Sequence, residues 1–192
     1  MTDQQPEANA AQIPDHWFSR ADESPDERFY EEPRFVAHID QATIDALTAF
    51  YRDFLPAGAS LLDLMSSWIS HLPQDVSYRS VQGLGMNAAE LEANPQLDGY
   101  RVQNLNENPT LPYEPGTFDR AMIVVSIQYL IRPIEVLRSV YEALTDGGAV
   151  CIAMSHRLFP TKAIAAFQQL QPQERVQLVA HYLDQAGFQD IA

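Results

Sequence analysis

Short apolar runs and helical stripes alternate along most of this chain. Runs at 60–64, 77–84, 100–102, 120–125 and 149–154 are brief and apolar on both faces, the pattern of strands buried within a sheet. Three stretches carry apolar residues at helical spacing instead. The first begins at Asp40, a candidate N-cap, places Ile44, Leu47, Phe50, Tyr51, Phe54 and Leu55 on one stripe, and stops at Pro56 and Gly58. A second has Pro133 in its first turn, then Ile134, Leu137, Val140, Tyr141 and Leu144, with Gly147-Gly148 as its stop. The last starts near Pro172 and aligns Val176, Val179, Tyr182, Leu183 and Ala186 before Gly187. Strands separated by helices predict an α/β fold, a doubly wound and mostly parallel sheet with helices on both faces. There is no internal repeat and no low-complexity tract.

The segment ahead of this alternation is different in kind. Residues 1–33 hold nine acids against Arg20 and Arg28, half of the net charge of the whole chain. Yet residues 16–40 include Trp17, Phe18, Phe29, Tyr30 and Phe35, an aromatic load that a solvated tail does not need. The expected organisation is an acidic arm over 1–40, partly packed on the domain or covering a site, and a single domain over 41–192.

Charge and composition narrow the partners. Twelve basic and 26 acidic residues leave a net charge of −14 over 192 residues, which argues against a nucleic-acid surface or an anionic membrane. An apolar fraction of 46% is enough for one buried core. The single Cys151 excludes an internal disulfide and a cysteine-based zinc site, and it suits a reducing compartment. The start is polar and acidic where a signal peptide is basic and then apolar, and no run reaches membrane-spanning length. These features point to a cytoplasmic location and to no metal. They set no oligomeric state.

Ligands of an open parallel sheet bind beyond the carboxyl ends of its strands, so the loops after each run are where chemistry is expected. After the first run, Asp63 can accept hydrogen bonds from a ligand, or it can cap a short helix opened by Ser66 and Ser67. Gly83 and Gly85 after the second run permit close backbone approach, and Asn87 can cap the following helix. Asn104 and Asn106 lie in a polar, proline-rich loop and serve either a ligand or the turn itself. Ser126, Gln128 and Tyr129 follow the fourth run. His156, Arg157 and Lys162, the only lysine beside eleven arginines, follow the fifth. A basic cluster in so acidic a chain either attracts an anionic substrate group or pairs with the acidic arm.

In this order the loops resemble those of class I S-adenosylmethionine-dependent methyltransferases, and of the type 11-like group among them. LLDLMSSW resembles the first cofactor motif, VQGLGMNAAEL the second, NLNENPTLPYEPGTFDRAMIVVSIQYL the third and fourth, and VLRSVYEALTDGGAVCIAMS the helix and fifth strand. The resemblance implies a Rossmann-like methyltransferase fold, S-adenosylmethionine as cofactor and methyl transfer to a small-molecule acceptor, which the basic cluster would suit if anionic. It sets Asp63 and Ser66 against the methionine end, Met86 and Leu105 around adenine, and Asn104 at the adenine amine. Met65, Ser67, Gly85, Asn87 and Ser126 complete the cofactor set. His156, Tyr129 and His71 are the candidate bases or positioning groups, with His38 of the arm beside them.

The motifs also depart from the family. Met65, Ser67 and Ile69 fill a turn that usually holds glycines, and Gly85 stands where an acid usually ends the second strand, so that an acid introduced there is expected to tighten ribose binding. The chain ends at GFQDIA, where the family's sixth strand begins, which implies a sheet without its last antiparallel strand or a chain that continues. Two alternatives follow: a methyltransferase-like binding or scaffold protein without activity, and, less well supported, a nicotinamide-dependent oxidoreductase. The latter needs G-x-G-x-x-G after the first strand, where MSSWIS has no glycine.

Overall fold

The run SLLDL forms a strand buried along its whole length, β1 (Ser60–Leu64), and the rest of the sheet is laid out around it. β2 (Ser80–Gly85) and β4 (Phe118–Val124) pair with it on either side. β3 (Gly99–Val102) and β5 (Leu144–Ala153) form the edges, giving the order β3-β2-β1-β4-β5 with every pairing parallel. The computed structural model describes residues 13–192; the first part of the expected arm, 1–12, lies outside the described residues. No antiparallel strand joins the sheet among the described residues.

Alternation along β1 sends its side chains to two different cores. Leu62 and Leu64 join Leu84, Ala121 and Ile123 in the larger core, closed by α4 (Pro133–Ala143) and α6 (Pro172–Ala186). Leu61, with Val81 and Met122, meets Tyr51 and Leu55 from α2 (Gln41–Phe54) and its C-terminus on the opposite face. The helix ends follow local rules. Asp40 accepts from Thr43 N at 2.9 Å, α6 opens on Pro172 with a reciprocal Gln171–Glu174 cap, and Gly187 closes it with a positive φ of 104°.

Three local expectations are corrected. Ser66 and Ser67 open no helix: residues 65–79 run as a loop, because their hydroxyls bond to the acids Asp63 and Glu90. The third run is not buried but forms an edge strand, with Val102 53% exposed. Gly147-Gly148 does not stop α4, which ends at Ala143; the glycines lie in the irregular start of β5, where the register shifts between Phe118 and Arg120.

Trp17, Phe18, Phe29 and Tyr30 of the arm are partly buried, whereas Phe35 is exposed. Trp17 and Phe18 lie against the larger core. A short helix, α1 (Asp26–Tyr30), and the stretch up to Asp40 then cross the carboxyl end of the sheet. No helix among the described residues is long and apolar enough to cross a membrane.

Candidate active site

The chain order reverses between β1 and β4, and this switch point opens a crevice at their carboxyl ends. Both strands leave it through a non-glycine residue in the left-handed region, Met65 at φ 57° after β1 and Val125 at φ 46° after β4. For a β-branched valine this backbone is costly, and such strain concentrates where a site requires a particular loop path. Met65 thus adopts a backbone that glycine adopts without steric cost. Between the two loops lies a cavity of about 380 Å³, within the usual range for small-molecule sites.

Asp63 sits at the floor of this cavity, 4% exposed. Its Oδ2 accepts from Ser66 Oγ and Ser70 Oγ, each at 2.6 Å, so the loop is tied to the acid and the helix-cap reading is replaced by a serine clamp. Oδ1 accepts no side-chain hydrogen bond among the described residues. Burial pushes the Asp63 carboxyl up to about 6, against the lowering effect of the two serines. Ser126, two residues past the end of β4, lines the same cavity, and its buried hydroxyl has no hydrogen-bond partner among the described residues.

Met65, Ser66, Ser67, Gly85, Met86, Asn87, Asn104, Leu105 and Tyr129 also line the cavity. So does His71, at φ 57°, with Nδ1 buried and unpartnered and with burial and the neighbouring His38 lowering its pKa. His38 is lowered chiefly by burial. Tyr129 is buried, its hydroxyl accepts from Phe159 N at 3.0 Å, and burial raises its pKa. His156 is exposed and is not among the lining residues, although Arg157, Leu158 and Phe159 after it are.

Gly85 is close to backbone rather than open to a ligand. A Cβ there would lie 2.3 Å from Ser66 O, because Ser66 N donates to Leu84 O at 2.9 Å and draws the first loop against the end of β2. The expectation that an acid at position 85 would tighten ribose binding is therefore corrected: a side chain has no room. The carboxylate on this side of the cavity is Glu90, in the first turn of α3 (Ala88–Glu92), which accepts from Ser67 Oγ at 2.6 Å and from Arg34 N at 2.7 Å. The spacing Asn87-x-x-Glu90, a helix-start pattern, was the signal that could have found it.

The arm is bonded to the loops after β1, β2 and β3. Asn87 Nδ2 donates to Tyr30 O at 2.9 Å, Asn104 Nδ2 to Glu27 Oε1 at 2.7 Å, Asn106 Nδ2 to Asp26 Oδ2 at 2.9 Å, and Trp68 Nε1 to Val36 O at 3.1 Å. Lys162, fully buried, stands 3.2 Å from both Asp22 Oδ2 and Asp26 Oδ1, and Arg20 Nη1 bonds both Asp26 oxygens. Burial alone would raise the Asp26 carboxyl, but hydrogen bonds from Asn106, Arg20 and Lys162 hold it below the usual range. Of the basic cluster, Lys162 thus pairs with the acidic arm, while Arg157 stays exposed on the cavity wall. Arg20, Asp26, Tyr30 and Arg34 line the cavity too, although no periodicity in the arm marks them.

No sequence-family model matches the chain, and no curated protein matches it in sequence. Solved structures do match in fold. The chain is similar to an S-adenosylmethionine-dependent methyltransferase from Mesorhizobium loti, with 18% identity over 76% of this chain and 83% of that one and a TM-score of 0.53. It is similar to another from Aquifex aeolicus, with 15% identity over 79% and 89% and a TM-score of 0.54. It is also similar to the [4+2]-cyclase SpnF, with 17% identity over 80% of this chain, a TM-score of 0.57, and only 61% of the cyclase covered. The doubly wound α/β sheet expected from the sequence is therefore that of the class I S-adenosylmethionine-dependent methyltransferases.

Proposed function

We propose that this chain binds S-adenosylmethionine in the cavity between β1 and β4 and transfers its methyl group to a small-molecule acceptor. The fold alone does not carry this reading, since a neighbour of the same architecture is a cyclase. The observation that carries it is that one cavity at the switch point is lined by both the buried Asp63 carboxylate and the Ser126 hydroxyl, which has no partner among the described residues, beside two strand ends with left-handed backbone.

The residues fit the cofactor's chemistry. Asp63 is a counter-charge for a cationic ligand and still has an oxygen free of side-chain donors among the described residues. Ser126 can donate to or accept from a polar group, and Met65, Ile69, Met86 and Leu105 offer apolar surface to a flat heterocycle. When bound, the cofactor supplies an electrophilic methyl group on a sulfonium. The chain's own part is to exclude water, orient the acceptor and take its proton if it has one. The arm over the loop ends serves the first task. His71, depressed toward its neutral form and with Nδ1 unpartnered, is the base of this reading; Tyr129, held protonated by burial, positions. His156 has no role in it.

One observation favours the alternative of a binding protein without activity: Asn87, Asn104 and Glu90, on the cavity's second side, already bond to the arm and first loop. Calorimetric titration with S-adenosylhomocysteine, of the wild type and of Asp63→Ala, tests the reading. Saturable binding that the variant loses supports it. No heat in the wild type, or equal affinity in a folded variant, overturns it. Binding without turnover on any acceptor leaves the binding-protein alternative in its place.

A further inference from the structure

Three buried or half-buried cations line the arm's side of the cavity, and two of them are neutralised. Lys162 is held by Asp22 and Asp26, and Arg20 by Asp26. Arg34 is the exception. No carboxylate lies within ion-pair distance of its guanidinium among the described residues, and Nη1 is buried without a hydrogen-bond partner. Its other polar contacts fix it in place: the backbone N–H donates to Glu90, and Nη2 donates to Phe29 O at 2.7 Å. In a chain with 26 acids, this half-buried guanidinium has no acid beside it among the described residues, and unlike the exposed Arg157 on the same cavity it is shielded from water. A buried donor left unsatisfied is costly, and an incoming anion removes that cost.

The surroundings define the anion further. The guanidinium carbon lies 4.4 Å from the Phe29 ring centroid, 5.5 Å from that of Phe159 and 5.9 Å from that of Tyr30. Phe159 in turn lies 5.2 Å from Phe29, 5.8 Å from Tyr129 and 5.7 Å from His38, all centroid to centroid. A single planar guanidinium framed by aromatic rings matches a planar monoanion on a flat body. We propose that Arg34 and the rings of Tyr30, Tyr129 and Phe159 form the acceptor subsite, and that the acceptor is a small aromatic carboxylate. This rests on the methyltransferase reading. The other carboxylate such a site would meet is the amino-acid end of S-adenosylmethionine, but that end is assigned to Asp63 and the loop after β1, whereas Arg34 is framed by the arm and the loop after β5.

The test is a nitrogen-15 NMR titration of the wild-type protein with benzoate and with its uncharged counterpart benzamide, each alone and again with saturating S-adenosylhomocysteine or 5′-methylthioadenosine. Benzoate is expected to bind roughly tenfold or more tightly than benzamide, the worth of a charge-assisted hydrogen bond, to shift the Arg34 side-chain resonance, and to bind alongside either nucleoside. Arg34→Gln should erase the preference for benzoate, and Arg34→Lys should keep part of it. Because Arg34 also bonds Phe29 O, the Gln variant counts only if its arm resonances are unchanged; otherwise the wild-type Arg34 shift decides. Equal affinity for benzoate and benzamide, or no shift at Arg34, overturns the subsite. Competition by S-adenosylhomocysteine but not by methylthioadenosine gives Arg34 to the cofactor and overturns the acceptor assignment. If neither nucleoside binds, the methyltransferase reading fails, while the benzoate arms still judge the carboxylate subsite.

Discussion

Burial raises the Asp63 carboxyl to about 6 from an ordinary value near 4, so at neutral pH the folded protein holds a charge in a poorly solvated place. An acid raised in this way binds its proton more tightly when folded. Its stabilising contribution is full below the ordinary value and is lost as pH rises through about 6. Asp63→Asn should therefore raise stability at pH 7.5 by about 1–3 kcal/mol, with less gain at pH 4, in urea melts, while weakening S-adenosylhomocysteine binding. A site kept at the expense of stability is the expected signature; a variant less stable at pH 7.5 would show that the serine clamp outweighs the buried charge. Gly85 makes the opposite case. Its Cβ would meet a backbone oxygen, so Gly85→Ala should destabilise by about 1–3 kcal/mol as overpacking does, measured by the same melts. Asp63 was legible because a lone acid ends an apolar run. Arg34 was not, because its role comes from contacts across 56 positions of sequence that no local pattern records, and the helix-start spacing that marks Glu90 does not reveal its bond to Arg34.

At the scale of elements, α2, α4 and α6 were legible from their stripes, each having three or more turns over which a period can be read, and α2 and α6 from their stops as well. α1, α3 and α5 (Ala165–Gln169) have five residues each, too few to show a period. The aromatic content of the arm signalled packing, but its path over the strand ends depends on charges brought together only in the fold. Lys162 is the hub of that path. Lys162→Met would break the buried Lys162–Asp26 pair on one side, a loss of about 3 kcal/mol, and would also take the lysine from the partly exposed Asp22. Much of it should appear as local release of the arm rather than global unfolding. Limited trypsin digestion should then cut after Arg28 faster than in the wild type, with the sheet domain intact. Equal cleavage rates would show that the arm is held mainly by its aromatic and backbone contacts.

For the whole molecule, the sheet's strands and their parallel sense followed from alternation of strand and helix, whereas the strand order did not. Local pattern carries no information on which strand lies beside which, and the sequence alone set no strand order. That order creates the site, because the adjacency of β1 and β4 brings Asp63 and Ser126 to one cavity beneath the arm. Hydrogen exchange followed by mass spectrometry, with and without saturating S-adenosylhomocysteine, tests this most directly. Slower exchange is expected together in the loop after β1 (65–71), the loop after β4 (125–130) and the arm between 26 and 40, with no change on α4 and α6. Exchange unchanged throughout, or protection confined to segments away from these loops, would contradict a cofactor site at the β1–β4 switch point.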